Sequence, residues 1–325
     1  MKKNYYWIIL PTLLFLTLGV MGCSSDENSS QEVIIDKKVA VDGLNFYLYP
    51  DSHEAVVDNG NMWTGELSIP SEIKYRGQTF LVKGIIHDAF RDCNELTKVR
   101  IPKTIDHFVH HVLSDDPTIG GAVSPDNMNP FTGCTALESI EVDDDNPIMC
   151  SDGGVLFNKD RTQLYSYPAG ARQETWTIPE TVTWTGDGAF ADNQHLIALT
   201  MPNSLTKLGA AAFKGCAKLK SIKLSERISR IGAFSFEKCE SLHFLDIPES
   251  VQHFEESVFR WSAIKTLVIR GTFPDGLRED TFYSMDKDVV IYVQPSELEK
   301  FKKVFSGTIL PLDSFTGFTE PYLFP

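Results

Sequence analysis

The chain has 325 residues, of which 42% are hydrophobic and 23% charged, a globular composition that excludes a disordered protein. Against 44 acidic residues stand 30 Lys and Arg, a net charge of −14; without residues 1–22, which carry Lys2 and Lys3, the balance is 28 − 44 = −16. Such a surface repels phosphate backbones and anionic membranes, so nucleic acid is excluded and a protein, glycan or cation is the expected partner.

Met1–Asn4 is a short basic start, Tyr5–Leu18 is almost wholly apolar, and Val20-Met21-Gly22-Cys23 closes the run with a small residue before a cysteine. Residues 1–22 resemble a bacterial lipoprotein signal peptide. The resemblance implies cleavage before Cys23 and lipidation of that cysteine, which would anchor the protein in a membrane. A retained transmembrane helix fits less well, because the run is short for a bilayer and contains Pro11. An ordinary secretory leader with an incidental cysteine remains the alternative. Residues 23–32 read as a flexible tether, and Asp26-Glu27 resembles the acidic lipoprotein export signal of Bacteroidetes, which implies an outer-membrane lipoprotein exposed at the cell surface.

Residues 33–86 read as a strand-rich N-terminal module, and residues 87–293 as a repeat array. Phenylalanine recurs every 23 residues at Phe190, Phe213, Phe236, Phe259 and Phe282. Ile178, Met201, Leu224 and Ile247 keep the same step, and Pro179, Pro202 and Pro248 follow three of them. Leu208-Gly209 and Ile231-Gly232 mark a turn before the phenylalanine. Ser221-Ile222-Lys223-Leu224 and Phe244-Leu245-Asp246-Ile247 alternate with period two, so each unit should contribute one short strand with alternate residues buried. A 23-residue unit is too small for a core of its own and must stack on its neighbours.

The pattern in Met201 to Leu219, with Ala212-Phe213, Cys216 and Leu219 in fixed slots, resembles the BspA-like, or Treponema pallidum-type, leucine-rich repeats. Asn146-Pro147, the stretch Asp152 to Asp160 and the stretch Leu164 to Gly170 resemble that family's hairpin insertion. Val41 to Tyr47, Gly65 to Pro70 and Ala89 to Cys93 resemble its N-terminal strand module. The resemblance covers roughly residues 33–305 and implies a β-rich (α+β) solenoid: a right-handed leucine-rich-repeat array with an N-terminal β cap and a short C-terminal helix cap. Three departures stand out: a loop insertion at 103–130, Thr185 in a slot normally Ile or Leu, and a unit near Ile269 that is one residue short. Residues 146–170 form the hairpin insertion and 294–325 the C-terminal helix and tail, with Leu298, Phe301 and Val304 on one apolar face.

Four of the five cysteines after Cys23, namely Cys93, Cys134, Cys216 and Cys239, lie three residues after a repeat phenylalanine, where other units carry Asn193, Ser262 or Met285. That slot, like Cys150, favours free thiols over disulfides. On a helix, His107, His110 and His111 would share adjoining faces with Asp115 and Asp116 nearby, a weak metal candidate; the segment lacks a His-Glu-x-x-His arrangement, and a solvated loop is the alternative. Asp143-Asp144-Asp145-Asn146 could offer calcium oxygens but reads better as a strand-exit turn. No Gly-x-Ser-x-Gly elbow, phosphate loop or dinucleotide fingerprint occurs in the sequence, so neither an enzyme nor a cofactor is expected.

Stacked strands should turn outward residues into ladders: Arg100, Glu141, Thr177, Thr200, Lys223, Asp246 and Val268 beside Lys98, Ser139, Thr175, Ala198, Ser221, Phe244 and Thr266. Trp184 shares the slot of Lys207, Arg230 and His253, which should face outward unless a register slip exchanges it with Thr185. Trp176 should be core, and Trp261 is expected to fill the irregular unit. The binding residues expected are Trp184, Thr177, Thr200, Lys223, Phe244 and Asp246. BspA-like resemblance implies a monomeric, non-catalytic surface lipoprotein that binds a macromolecule in adhesion or protein–protein contact. A glycan-capturing lipoprotein of a polysaccharide uptake system is the alternative, and a hydrolase built in the 103–130 loop a third reading.

Overall fold

A computed structural model describes residues 38–59, 63–109, 129–282, 284–285 and 288–317. Contacts divide the chain into residues 1–34 and 35–325, and all described residues belong to the second unit. Cys23, the leader, the tether, His110, His111, Asp115 and Asp116 lie outside the described residues.

The period-two stretches form parallel strands in the register that the 23-residue step dictates. Thr175–Thr177, Ala198–Thr200 and Ser221–Lys223 make one sheet, with Trp176 opposite Leu199 and Leu199 opposite Ile222. Phe244–Ile247, Thr266–Ile269, Val290–Val293 and Thr308–Pro311 make another. The short unit is visible as a 22-residue step, since Phe244 pairs with Thr266. Gly65–Ser68, Leu96–Ile101 and Ser139–Val142 form a third parallel sheet toward the N-terminus. A second side of the array consists of two-residue strands, Trp184–Thr185, Lys207–Leu208, Arg230–Ile231 and His253–Phe254, again parallel. Met149–Asp152, Val155–Asn158 and Gln163–Ser166 join this sheet as an antiparallel meander, and Gln163 is opposite Trp184.

The N-terminal sheet runs Lys38–Val41, Leu44–Tyr49, Glu54–Asn59, Gln78–Ile86, Glu72–Tyr75. His107–Val109 adds to Gln78–Ile86 in parallel, so His107 belongs to a strand and the helical arrangement expected for the histidine segment is incorrect at that residue. The C-terminal helix is one turn, Leu298–Phe301, entered through a 3-10 turn at Pro295–Glu297 with Phe301 buried. Beyond it the chain returns to the sheet as Thr308–Pro311, a strand that the sequence pattern did not suggest.

The phenylalanines form a column through the array. Phe190, Phe213, Phe236, Phe259 and Phe282 are all buried, and successive ring centroids lie 4.9, 5.7, 6.2 and 6.2 Å apart with interplanar angles of 17°, 6°, 11° and 22°. Tyr167 and Phe305, 23 residues before and after this run, extend it at 5.3 and 5.1 Å. Each ring removes apolar surface from water, about 2 kcal/mol per side chain, and each stacked pair adds about 1 kcal/mol. Backbone bonds link the same turns: Phe190 N–H to Ala212 O, Phe213 N–H to Ser235 O and Phe236 N–H to Val258 O at 2.8 to 2.9 Å. The backbones approach so closely at the corner that a Cβ on Gly209 would sit 2.5 Å from the Gly186 carbonyl oxygen.

The slot three residues after the phenylalanine satisfies a buried carbonyl. The thiols of Cys134, Cys216 and Cys239 donate to the carbonyls of Phe90, Phe190 and Phe213 at 3.0 to 3.2 Å. Asn193 in the same slot donates to Pro168 O and Ala171 O and accepts from His195 and Leu196 N–H. All five described cysteines are free, four buried and Cys150 half-buried. Burial pushes the Cys134 thiol up to about 12 and the Cys216 and Cys239 thiols up as well.

Phe213→Ala should lower unfolding free energy by about 3–5 kcal/mol in a denaturant titration, because it opens a cavity between two rings; a loss below about 1 kcal/mol would contradict the column. The thiols stay protonated in the fold at pH values where the unfolded chain ionises. Their contribution to stability is therefore fully present below their unfolded pKa, near 9, and is lost as pH rises toward about 12. Replacing Cys134 by Ser should flatten the alkaline limb of a stability-versus-pH curve; an unchanged limb would exclude that linkage.

Candidate functional site

The outward ladders exist in the expected register. Thr175, Ala198 and Ser221 stand in one row and Thr177, Thr200 and Lys223 in the next. Leu199 and Ile222 point inward and are buried, as are Ile178, Met201 and Leu224, so the face is backed by core. Thr175, Thr177 and Lys223 are exposed, Thr200 and Ser221 half-buried, and Ala198 buried.

Charges on both flanks of this face are consumed internally. Arg100 bridges Glu66 at 3.1 Å and Glu141 at 3.0 Å, and Lys98 also pairs with Glu141. The hydrogen bond from Lys98, joined by that from Arg100, holds the Glu141 carboxyl below its ordinary pKa. Asp246 takes both arms of the Arg270 guanidinium, at 2.8 and 2.6 Å, which raises the arginine further. Lys223, between these flanks, makes no ion pair among the described residues.

The site residues expected from sequence do not all share one open surface. Phe244 lies under Phe315, whose ring is nearly parallel at 6.3 Å and also meets Tyr292 at 4.9 Å. The C-terminal segment therefore packs back on the array and covers the aromatic end of the ladder. Trp184 lies on the second side, opposite Lys207, and is half-exposed. Thr185 is fully buried and accepts the Gly209 N–H at 3.2 Å, so the register slip does not occur and the indole faces outward. Trp176 points inward from between two exposed threonines, half-buried against Tyr167 at 4.8 Å and Phe190 at 5.8 Å.

Trp261 corrects an expectation. It fills no gap: it is 45% exposed, with the Arg260 guanidinium 3.8 Å and the Lys238 ammonium 5.5 Å from its ring centroid. Its place two residues after Phe259, in the outward slot of Asp92, Asp192 and Lys238, was the available sequence signal.

The described residues contain no group of three or more His, Cys, Asp and Glu side chains suited to an ion, and His110, His111, Asp115 and Asp116 lie outside them. His107 Nδ1 meets Asp106 Oδ1 at 2.6 Å, and Lys83 reaches the other oxygen at 2.5 Å. Burial alone would raise the Asp106 carboxyl, but the hydrogen bonds and charges of Lys83 and His107 bring it below its ordinary value. The other face of the imidazole lies close to Gly84, where a Cβ would meet Nε2 at 2.8 Å. Asp143 accepts the Asp145 N–H at 3.0 Å, while buried Asn146 donates to Pro102 O and Ile105 O and accepts from Ile148 and Met149. The acidic run is therefore a turn built around an asparagine.

The sequence matches the family model for the BspA type leucine-rich repeat region in six copies over residues 71–146 and 165–287. A comparison with curated proteins gives no match. Among solved structures the chain is similar to pneumococcal vaccine antigen PcpA, with 18% identity over 84% of this chain and 98% of that one and a TM-score of 0.52. A leucine-rich cell surface protein from Faecalibacterium prausnitzii aligns at 16% identity over 85% of this chain and 100% of that one, TM-score 0.48. A leucine-rich repeat protein from Bacteroides ovatus aligns at 22% identity over 83% and 66%, TM-score 0.44.

Phe315→Ala should speed amide hydrogen exchange in Thr308–Pro311 while leaving Thr175–Thr177, three rungs before Phe244, unchanged, since only the former lies beside the aromatic contact. Equal exchange in both proteins would show that the contact does not hold the segment.

Proposed function

Because the chain belongs to the BspA-type leucine-rich repeat family, we propose that it is a non-catalytic lipoprotein, anchored through Cys23 and exposed at the cell surface, that binds a macromolecular partner in adhesion or protein–protein contact. Right-handed winding, closed by the N-terminal sheet and the C-terminal helical segment, completes this reading of the array. The observation that carries it is the row of Thr177, Thr200 and Lys223. Parallel register spaces these side chains evenly on a rigid, core-backed sheet, and the flanking ion pairs leave Lys223 as the charge of the row without an ion pair among the described residues. Even spacing on a rigid backbone lets contacts form with little ordering cost in the protein, which favours extended partners.

A second reading, capture of a glycan for a polysaccharide uptake system, draws on Trp184. Its outward indole stands in line with Lys207 and Arg230, an arrangement suited to stacking on a sugar ring with polar contacts beside it.

Protease treatment of intact cells that express the full chain should digest residues 33–325 while a periplasmic marker survives. Protection of the body would remove surface binding. On a glycan array, specific binding that Trp184→Ala abolishes would favour the second reading, and its absence would leave the protein partner.

A further inference from the structure

The turn after each repeat phenylalanine contains one rung unlike the others. Two residues past the phenylalanine the backbone has positive φ at Asp92, Gly133, Asp192, Gly215, Lys238 and Ser284. The rung of Phe259 places Trp261 there, at φ 55°. For a bulky aromatic this left-handed conformation is strained, whereas Gly, Asn and Asp accept it. Nor does burial compensate, because the ring is 45% exposed. Strain held at an exposed aromatic is a mark of function more than of folding.

Arg260 supplies a second, separate observation. It is half-buried and stacks on the indole at 3.8 Å, yet its side chain makes no hydrogen bond or ion pair among the described residues, and its Nε is buried without a partner among them. Arg230 pairs with Glu255 and Arg270 with Asp246, and Arg227 and Arg278 are exposed, so Arg260 differs in holding an unpaired guanidinium half-buried against a ring. A guanidinium held against an indole keeps its planar fork oriented for a carboxylate. Lys238, on the preceding rung and 5.5 Å from the same ring, adds a second cation.

We propose that Trp261, Arg260 and Lys238 form a binding site for a saccharide that bears a carboxylate, with the sugar ring against the exposed indole and the carboxylate on the guanidinium and ammonium. This site lies in the turn after the phenylalanine and does not depend on the ladder-face reading above. An extended peptide has no strand edge to join here, since Phe236 and Lys238 N–H already donate to Val258 and Arg260 carbonyls at 2.9 and 3.1 Å. A polyanionic chain would meet the field of a protein with net charge −14. A single carboxylate meets chiefly the charges within about 8 Å, and at the exposed ring those include the Arg260 guanidinium and the Lys238 ammonium.

The test titrates the full chain with sialyllactose and digalacturonate, with lactose as the uncharged sugar and tetraglutamate as the carboxylate without a sugar, by calorimetry and tryptophan fluorescence. At least one carboxylated sugar should bind with a Kd of about 1 mM or tighter. Lactose should bind about tenfold more weakly, and tetraglutamate not at all. Trp261→Asn, which suits the left-handed slot, should abolish binding while the thermal midpoint stays the same or rises. Arg260→Gln should remove the preference over lactose. The proposal fails if neither carboxylated sugar binds, if lactose or tetraglutamate binds as tightly, or if both variants bind like the parent while circular dichroism shows them folded.

Discussion

Everything in this fold depends on contact between rungs. A 23-residue unit has two short strands and a handful of apolar side chains, too little to exclude water from any of them. The column from Tyr167 to Phe305 solves this by giving every unit an aromatic ring whose two faces are covered by the units before and after it. Stability is then a property of interfaces, and a terminal rung always leaves one ring face to be covered by something else.

The same constraint produces the candidate surfaces. Backbone hydrogen bonds and buried rings fix each rung against its neighbour, so whatever side chains the outward slots carry are presented in straight rows at constant spacing. The protein need not order them when a partner arrives. Their chemistry is free to vary because the core does not read it. Thr200 and Lys223 stand opposite each other in parallel strands with unlike side chains. Left-handed turn slots are freer still, which is how a tryptophan can stand where other rungs place aspartate or glycine.

Much of this was legible in the sequence because the period sets the register. Once Phe190 to Phe282 are aligned, Leu199 must face Ile222, and Trp184 must stand beside Lys207. Thr185 is the instructive case: a polar residue in an apolar slot suggested a slip, and a single hydrogen bond to Gly209 makes it acceptable. The shortened unit also appears where spacing put it, between Ile247 and Ile269. What periodicity misses is contact between residues outside the repeat. Phe315 covers Phe244 from 71 positions away, and no spacing connects them. Three histidines in five residues invite a helical spacing, but the strand Gln78–Ile86 claims His107. Trp261 was read as filler because the exposure of its slot follows from a backbone angle, not from hydrophobic pattern.

The most direct test of the ring column is a set of proton–proton contacts measured by NMR on a chain with selectively labelled phenylalanine. Cross-peaks should join Phe213 to Phe190 and to Phe236, and Phe259 to Phe236 and to Phe282, each a step of 23 residues. Cross-peaks that join these rings to phenylalanines at other separations, with none at 23, would contradict the stacking register on which the whole account rests.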